Sequence, residues 1–154
     1  MKKFNLCSLL SVLFFLVFCS HISSAQTVAG KLFLKEEADN LFGPVLQSVK
    51  IPASQLQQML NQTGDCLMFR FEGTELYILN SKRAQIYSSK GSFKSFSASD
   101  VLKFYSTAVI KELLNKGQSD SITIEERQSV MSVTDGSYTM EEAYSCPPDC
   151  TTEP

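Results

Sequence analysis

The chain has 154 residues, with sixteen acidic and fourteen basic side chains, one histidine and no tryptophan. The single histidine, His21, lies in an N-terminal segment expected to be removed; this excludes Ser-His and Cys-His nucleophile systems and imidazole-bound zinc from the mature protein. Residues 120–154 carry eight acidic groups against Arg127 alone, which argues against a nucleic-acid partner, because phosphate neutralisation needs clustered Lys and Arg.

Lys2 and Lys3 precede an apolar run from Leu9 to Phe18, broken only by Ser11, and Ser23 and Ala25 supply the small residues a signal peptidase reads. A membrane span needs roughly 20 apolar residues, so residues 1–25 are expected to be a cleaved signal peptide. The product then starts at Gln26, is secreted or periplasmic, and has no membrane span. A lipoprotein box ending at Cys19 would want a small residue where Phe18 stands, so lipidation there is not expected. The mature chain keeps all sixteen acidic groups but only twelve basic ones, net −4. Residues 26–144 are expected to form a single domain, and 145–154 an irregular Cys/Pro tail.

Lys31-Leu32-Phe33-Leu34 is a short apolar piece, followed by a helical turn or two over 35–42 with Gly43 at the stop position and Pro44 beyond. Val45 to Ile51 alternates, placing Val45, Val49 and Ile51 on one strand face with Ser48 and Lys50 opposite. Pro52-Ala53-Ser54 opens a helix through Leu56, Met59 and Leu60 that Gly64 closes. Runs at 66–72, 75–80 and 84–89, separated by Glu72-Gly73 and Asn80-Ser81-Lys82-Arg83, predict an antiparallel meander. A serine-rich loop follows. Val101, Leu102, Tyr105, Ala108, Val109 and Leu113 then predict a long helix over 100–116, capped by Ser97 or Ser99 and ended by Gly117. Segments 121–126 and 128–134 read as strands, Asp135-Gly136 as a turn, and the pattern decays beyond it. The expected fold is α+β: an antiparallel sheet of about five to seven strands with two main helices on one face.

Cysteine chemistry offers one local motif, Cys146-Pro147-Pro148-Asp149-Cys150. In an oxidising compartment a Cys146–Cys150 disulfide is the first expectation and a bridge from Cys66 to the tail the second. Three intervening residues do not match the two of thiol oxidoreductases. A zinc site would have to recruit Cys66, Asp149 or Glu142 without any histidine, so no metal and no cofactor is expected. Phe93, Phe96, Phe104 and Tyr105 could line a small-molecule pocket, against the plainer reading that they are core. The acid pairs Glu36-Glu37, Glu125-Glu126 and Glu141-Glu142 read as solvated surface, since adjacent residues diverge in space.

Gln26-Thr27-Val28-Ala29-Gly30 resembles the Gln-x-Val-x-Gly segment of cystatin-type protease inhibitors. That family carries it at a hairpin tip after a long helix, a context lacking here, and no family follows from it. The balance falls to an exported, non-enzymatic module that binds a protein, a peptide or a small apolar ligand. The alternatives are a histidine-free enzyme using carboxylate, Lys or Ser chemistry, or a Cys-based metal or redox protein.

Overall fold

The computed structural model describes residues 28–128 and 130–146. The expected signal peptide with its Cys19 box, and Pro147, Pro148 and Cys150, lie outside the described residues. In chain order the elements are β1 (Lys31–Leu34), α1 (Lys35–Phe42), β2 (Val45–Pro52), α2 (Ala53–Leu60), β3 (Cys66–Glu72), β4 (Glu75–Asn80) and β5 (Gln85–Ser88). They continue with β6 (Leu102–Ser106), α3 (Thr107–Lys116), β7 (Ser121–Arg127), β8 (Met131–Thr134), β9 (Tyr138–Glu141) and β10 (Tyr144–Cys146). The strands form two five-stranded sheets, sheet I in the order β1-β9-β8-β7-β2 and sheet II in the order β10-β6-β3-β4-β5. Every described pairing is antiparallel. The protein is thus α+β and mostly antiparallel sheet.

Alternation decides which side chains meet between the sheets. Phe69, Ile78 and Tyr105 of sheet II share one core with Ile51, Ile124, Val133 and Met140 of sheet I, and with Leu56 of α2 and Ile110 of α3. Tyr105 anchors that core, its hydroxyl donating to the carbonyls of Met131 and Met140. Gly30 is required beside it: its φ is +104° and a Cβ there would stand 2.6 Å from the Tyr105 ring. Residues of the opposite parity on sheet II (Cys66, Met68, Tyr77, Leu79, Leu102, Phe104 and Cys146) make a second apolar layer, capped by Phe96 from the 89–100 loop.

Several expectations are corrected here. The single sheet is two sheets, and residues beyond Asp135 form β9 and β10, because Asp135 closes a tight turn by accepting from the Ser137 and Tyr138 amides. The long helix is half strand: Leu102 and Phe104 face the second layer while Tyr105 enters the core, a period of two, and α3 starts only at Thr107. Neither Ser97 nor Ser99 caps it: Ser106 precedes α3, and Ser97 donates its amide and hydroxyl to Asp100 in a turn. α2 and α3 pack in the inter-sheet core, and a third helix, α1, lies on the outer face of sheet I, where Phe42 meets Phe33 edge-on and Ala38 is buried.

Candidate functional site

The four aromatics considered for a pocket are not gathered into one. Phe93 is 82% exposed. Phe96 packs edge-on against Tyr77 and Phe104 against Tyr144, both in the outer layer of sheet II. Tyr105 points the opposite way, edge-on to Phe69 in the core. Cys66 is a buried free thiol at the start of β3. Burial, with Asp65 beside it, pushes that thiol up to about 11, so it is a poor nucleophile or metal ligand at neutral pH. Cys146 is buried at the end of β10; Arg83 donates to its carbonyl and sulfur. Among the described residues no group of three His, Cys, Asp or Glu is placed to hold a metal ion. No helix among them is long and apolar enough to cross a membrane.

A cleft opens where the β7–β8 turn approaches the adjoining ends of β3 and β6. It has two contiguous lobes of about 300 and 160 Å³ that share Lys103, Glu126 and Met131. Its apolar surface comes from the half-buried Phe71 and Val130 and the exposed Val101, over Phe69 and Met131, which are buried in the core. Strand parity places Lys103 here, since it pairs with Phe69 in register and lies between Leu102 and Phe104 of the opposite face. Its ammonium donates to Ser145 Oγ at 2.7 Å and has no carboxylate within ion-pair distance among the described residues. Across the cleft Glu126 accepts from the Gln47 side chain. Arg70 at the rim is already paired, with Glu72 at 3.1 Å and Asp100 at 3.6 Å.

The outer face of sheet I carries a second cluster that reading the sequence missed. Glu125, Arg127, Ser132, Thr134, Thr139 and Glu141 are all buried polar residues of β7, β8 and β9. Arg127, with no exposed side-chain surface, lies 2.7 Å from Glu125, 2.7 Å from Asp39 of α1 and 3.6 Å from Glu141. It also donates to Ser132 Oγ and to the Gly43 carbonyl just past α1. Ser132 in turn donates to Glu141, whose Oε2 is buried with no hydrogen-bond partner among the described residues. Burial, opposed by Ser132 and Arg127 and helped by Glu125, pushes the Glu141 carboxyl up to about 7. The signal was visible as alternation: Thr-x-Glu-x-Arg at 123–127, Ser-x-Thr at 132–134 and Thr-x-Glu at 139–141. Read alone it denotes a wet face; only the placement of α1 buries it.

Among the described residues sheet I also leaves the edge of β2 unpaired, with Val45 and Leu46 of β2 exposed, as are Leu34 and Leu41 at the two ends of α1. The later half of that edge carries Lys50 and Pro52, and a bulge interrupts its register between Val45 and Gln47, devices that discourage strand addition. No family model, curated protein sequence or solved structure matches the chain.

Proposed function

We propose that the protein is an exported, non-enzymatic binding module whose ligand is a small amphiphile with an anionic head. The ligand would seat its apolar part on Phe71 and Val101 and its head at Lys103. The observation that carries this reading is the combination, in one cleft, of the apolar side chains of Phe71 and Val101 with an ammonium group that has no carboxylate partner among the described residues. Ligand sites are typically concave, mostly apolar and supplied with a few convergent polar groups. The volume, about 300 Å³ in the larger lobe, sits at the low end of such sites and suits a small molecule.

Among the described residues the one carboxylate raised to about 7, Glu141, supports a binding role over catalysis, because it is fully buried and lines neither lobe. A general acid or base has to reach its substrate within hydrogen-bond distance. Export rests on Lys2, Lys3, the Leu9–Phe18 run and the Ser23/Ala25 pair, and we infer Cys150 as the partner of Cys146, since Cys66 is reduced. N-terminal sequencing of exported material is expected to begin at Gln26; a start at Cys19 would contradict it.

The test of binding uses an anionic, apolar fluorophore, anilinonaphthalene sulfonate, titrated into the unsubstituted protein and into Lys103→Glu. Saturable one-to-one enhancement in the former and its loss in the latter are expected. Equal binding by both, or none by either, would contradict the reading. Recovery of a protein partner seated on Leu41 and Leu46 instead would move the binding surface to the β2 edge.

A further inference from the structure

On the outer face of sheet I the charges do not balance. Arg127 and Lys35 supply two positive charges, against three carboxylates at Asp39, Glu125 and Glu141. Lys31, which pairs with Glu141 in register, is exposed and holds its ammonium over the Phe33 ring, 4.8 Å from the centroid. Tyr105, reaching the Met140 carbonyl from the core side, adds no positive charge. Asp39, half-exposed, keeps its charge in water and draws on both cations, whereas Glu141 is fully buried and its Oε2 meets no donor among the described residues, so an ionised Glu141 is the charge least well compensated. Desolvation of such a charge is strongly unfavourable, and the relief available is either a proton on the carboxyl or an opening that admits water.

What closes this layer is α1. Lys35 and Asp39 come from it and the Gly43 carbonyl follows it, so three of the cluster's contacts tie an eight-residue helix to the sheet. The helix has few other holds: Ala38 is its only buried residue, and Leu41 is exposed. An eight-residue helix is marginal without tertiary packing.

We propose that the Arg127–Glu141 cluster is a proton-operated clasp: while Glu141 holds a proton, α1 stays seated on sheet I, and when that proton passes to water α1 lifts to let the carboxylate hydrate. The raised position of the Glu141 carboxyl, about 7, places the change near neutrality.

The test is amide hydrogen exchange, corrected for intrinsic rates and followed separately for α1 and α3 at about pH 5 and about pH 8.5. Protection of α1 is expected to fall about tenfold or more across that range while α3 holds. Glu141→Gln, which keeps the neutral shape, is expected to hold α1 protected at both. Carbon-13 NMR of the Glu141 carboxyl in the unsubstituted protein gives a second readout should the variant fail to fold, and titration near neutrality is expected. The clasp is overturned by constant α1 protection, by loss of protection in α1 and α3 together, by a Glu141→Gln profile equal to the unsubstituted one, or by Glu141 titrating in the ordinary carboxylate range.

Discussion

The two outer sheet faces are built from the same strand geometry and hidden in opposite ways. On sheet II the outward residues are Cys66, Met68, Tyr77, Leu79 and Phe104, covered by a loop through Phe96. On sheet I they are Glu125, Arg127, Ser132, Thr134, Thr139 and Glu141, covered by a helix through Asp39 and Gly43. An apolar face needs only area, and a loop of irregular shape can supply it. A polar face needs each donor matched to an acceptor, so its cover has to sit in one register. Sheet I therefore exchanges stability for a defined arrangement, and Glu141 Oε2, buried without a partner among the described residues, marks where that arrangement is weakest.

The largest effect expected from this contrast is at Arg127. Arg127→Ala strands Glu125 and Glu141 without their counter-charge, and breaking a buried pair in this way costs about 3–5 kcal/mol. Urea denaturation reads it. If the cluster serves arrangement more than stability, Arg127→Met combined with Glu141→Leu should recover much of the loss. On sheet II the same operation is simpler. Phe96→Ala removes an edge-on partner of Tyr77 and should cost about 3 kcal/mol with no pH dependence of its own. A steep pH dependence there would erase the distinction between the faces.

Next comes the pH profile. Glu141 is raised from 4.5 to about 7 in the folded protein, so its contribution is fully present below about pH 4.5 and is lost as pH rises through about 7, a change of at most about 3 kcal/mol. Asp39, Asp100 and Glu75 run the other way: their carboxyls are held low, and what they contribute is lost as pH falls below the ordinary carboxylate range. Stability is therefore expected to peak near pH 5 and to decline toward pH 8. Glu141→Gln should flatten the alkaline limb and leave the acid limb unchanged, as denaturation midpoints across pH would show. An unaltered alkaline limb would remove Glu141 from the account.

How far the sequence discloses this structure follows the same division. Segments whose chemistry is local were legible: Gly43 and Pro44 ending α1, the Glu72-Gly73 turn between β3 and β4, and the Asp135-Gly136 turn. Residues 101–106 were not, because Leu102 and Tyr105 also satisfy a helical spacing, and only pairing with β3 selects the strand. The cleft was invisible for a related reason. Lys103 sits between two buried residues of the opposite face, and nothing local says that Glu126, in a strand of the other sheet, will stand across from it. The buried polar face was misread as solvated for want of one nonlocal fact, the seat of α1.

The smallest stability effect is expected at Lys103 itself. Its hydrogen bond to Ser145 is partly exposed, so Lys103→Ala should change stability by only about 0.5 kcal/mol while weakening ligand binding. A large loss of stability would reclassify it as a structural residue.

The central claim, a binding cleft between the two sheets, is most directly tested by amide shift mapping while a short-chain fatty acid such as octanoate is titrated into the protein. The account expects saturable shifts concentrated at Phe69, Phe71, Val101, Lys103 and Met131, absent in Lys103→Glu, with α1 and the outer layer of sheet II undisturbed. Shifts centred on Leu41 and Leu46, shifts scattered over the surface, or no saturable change at the cleft would contradict it.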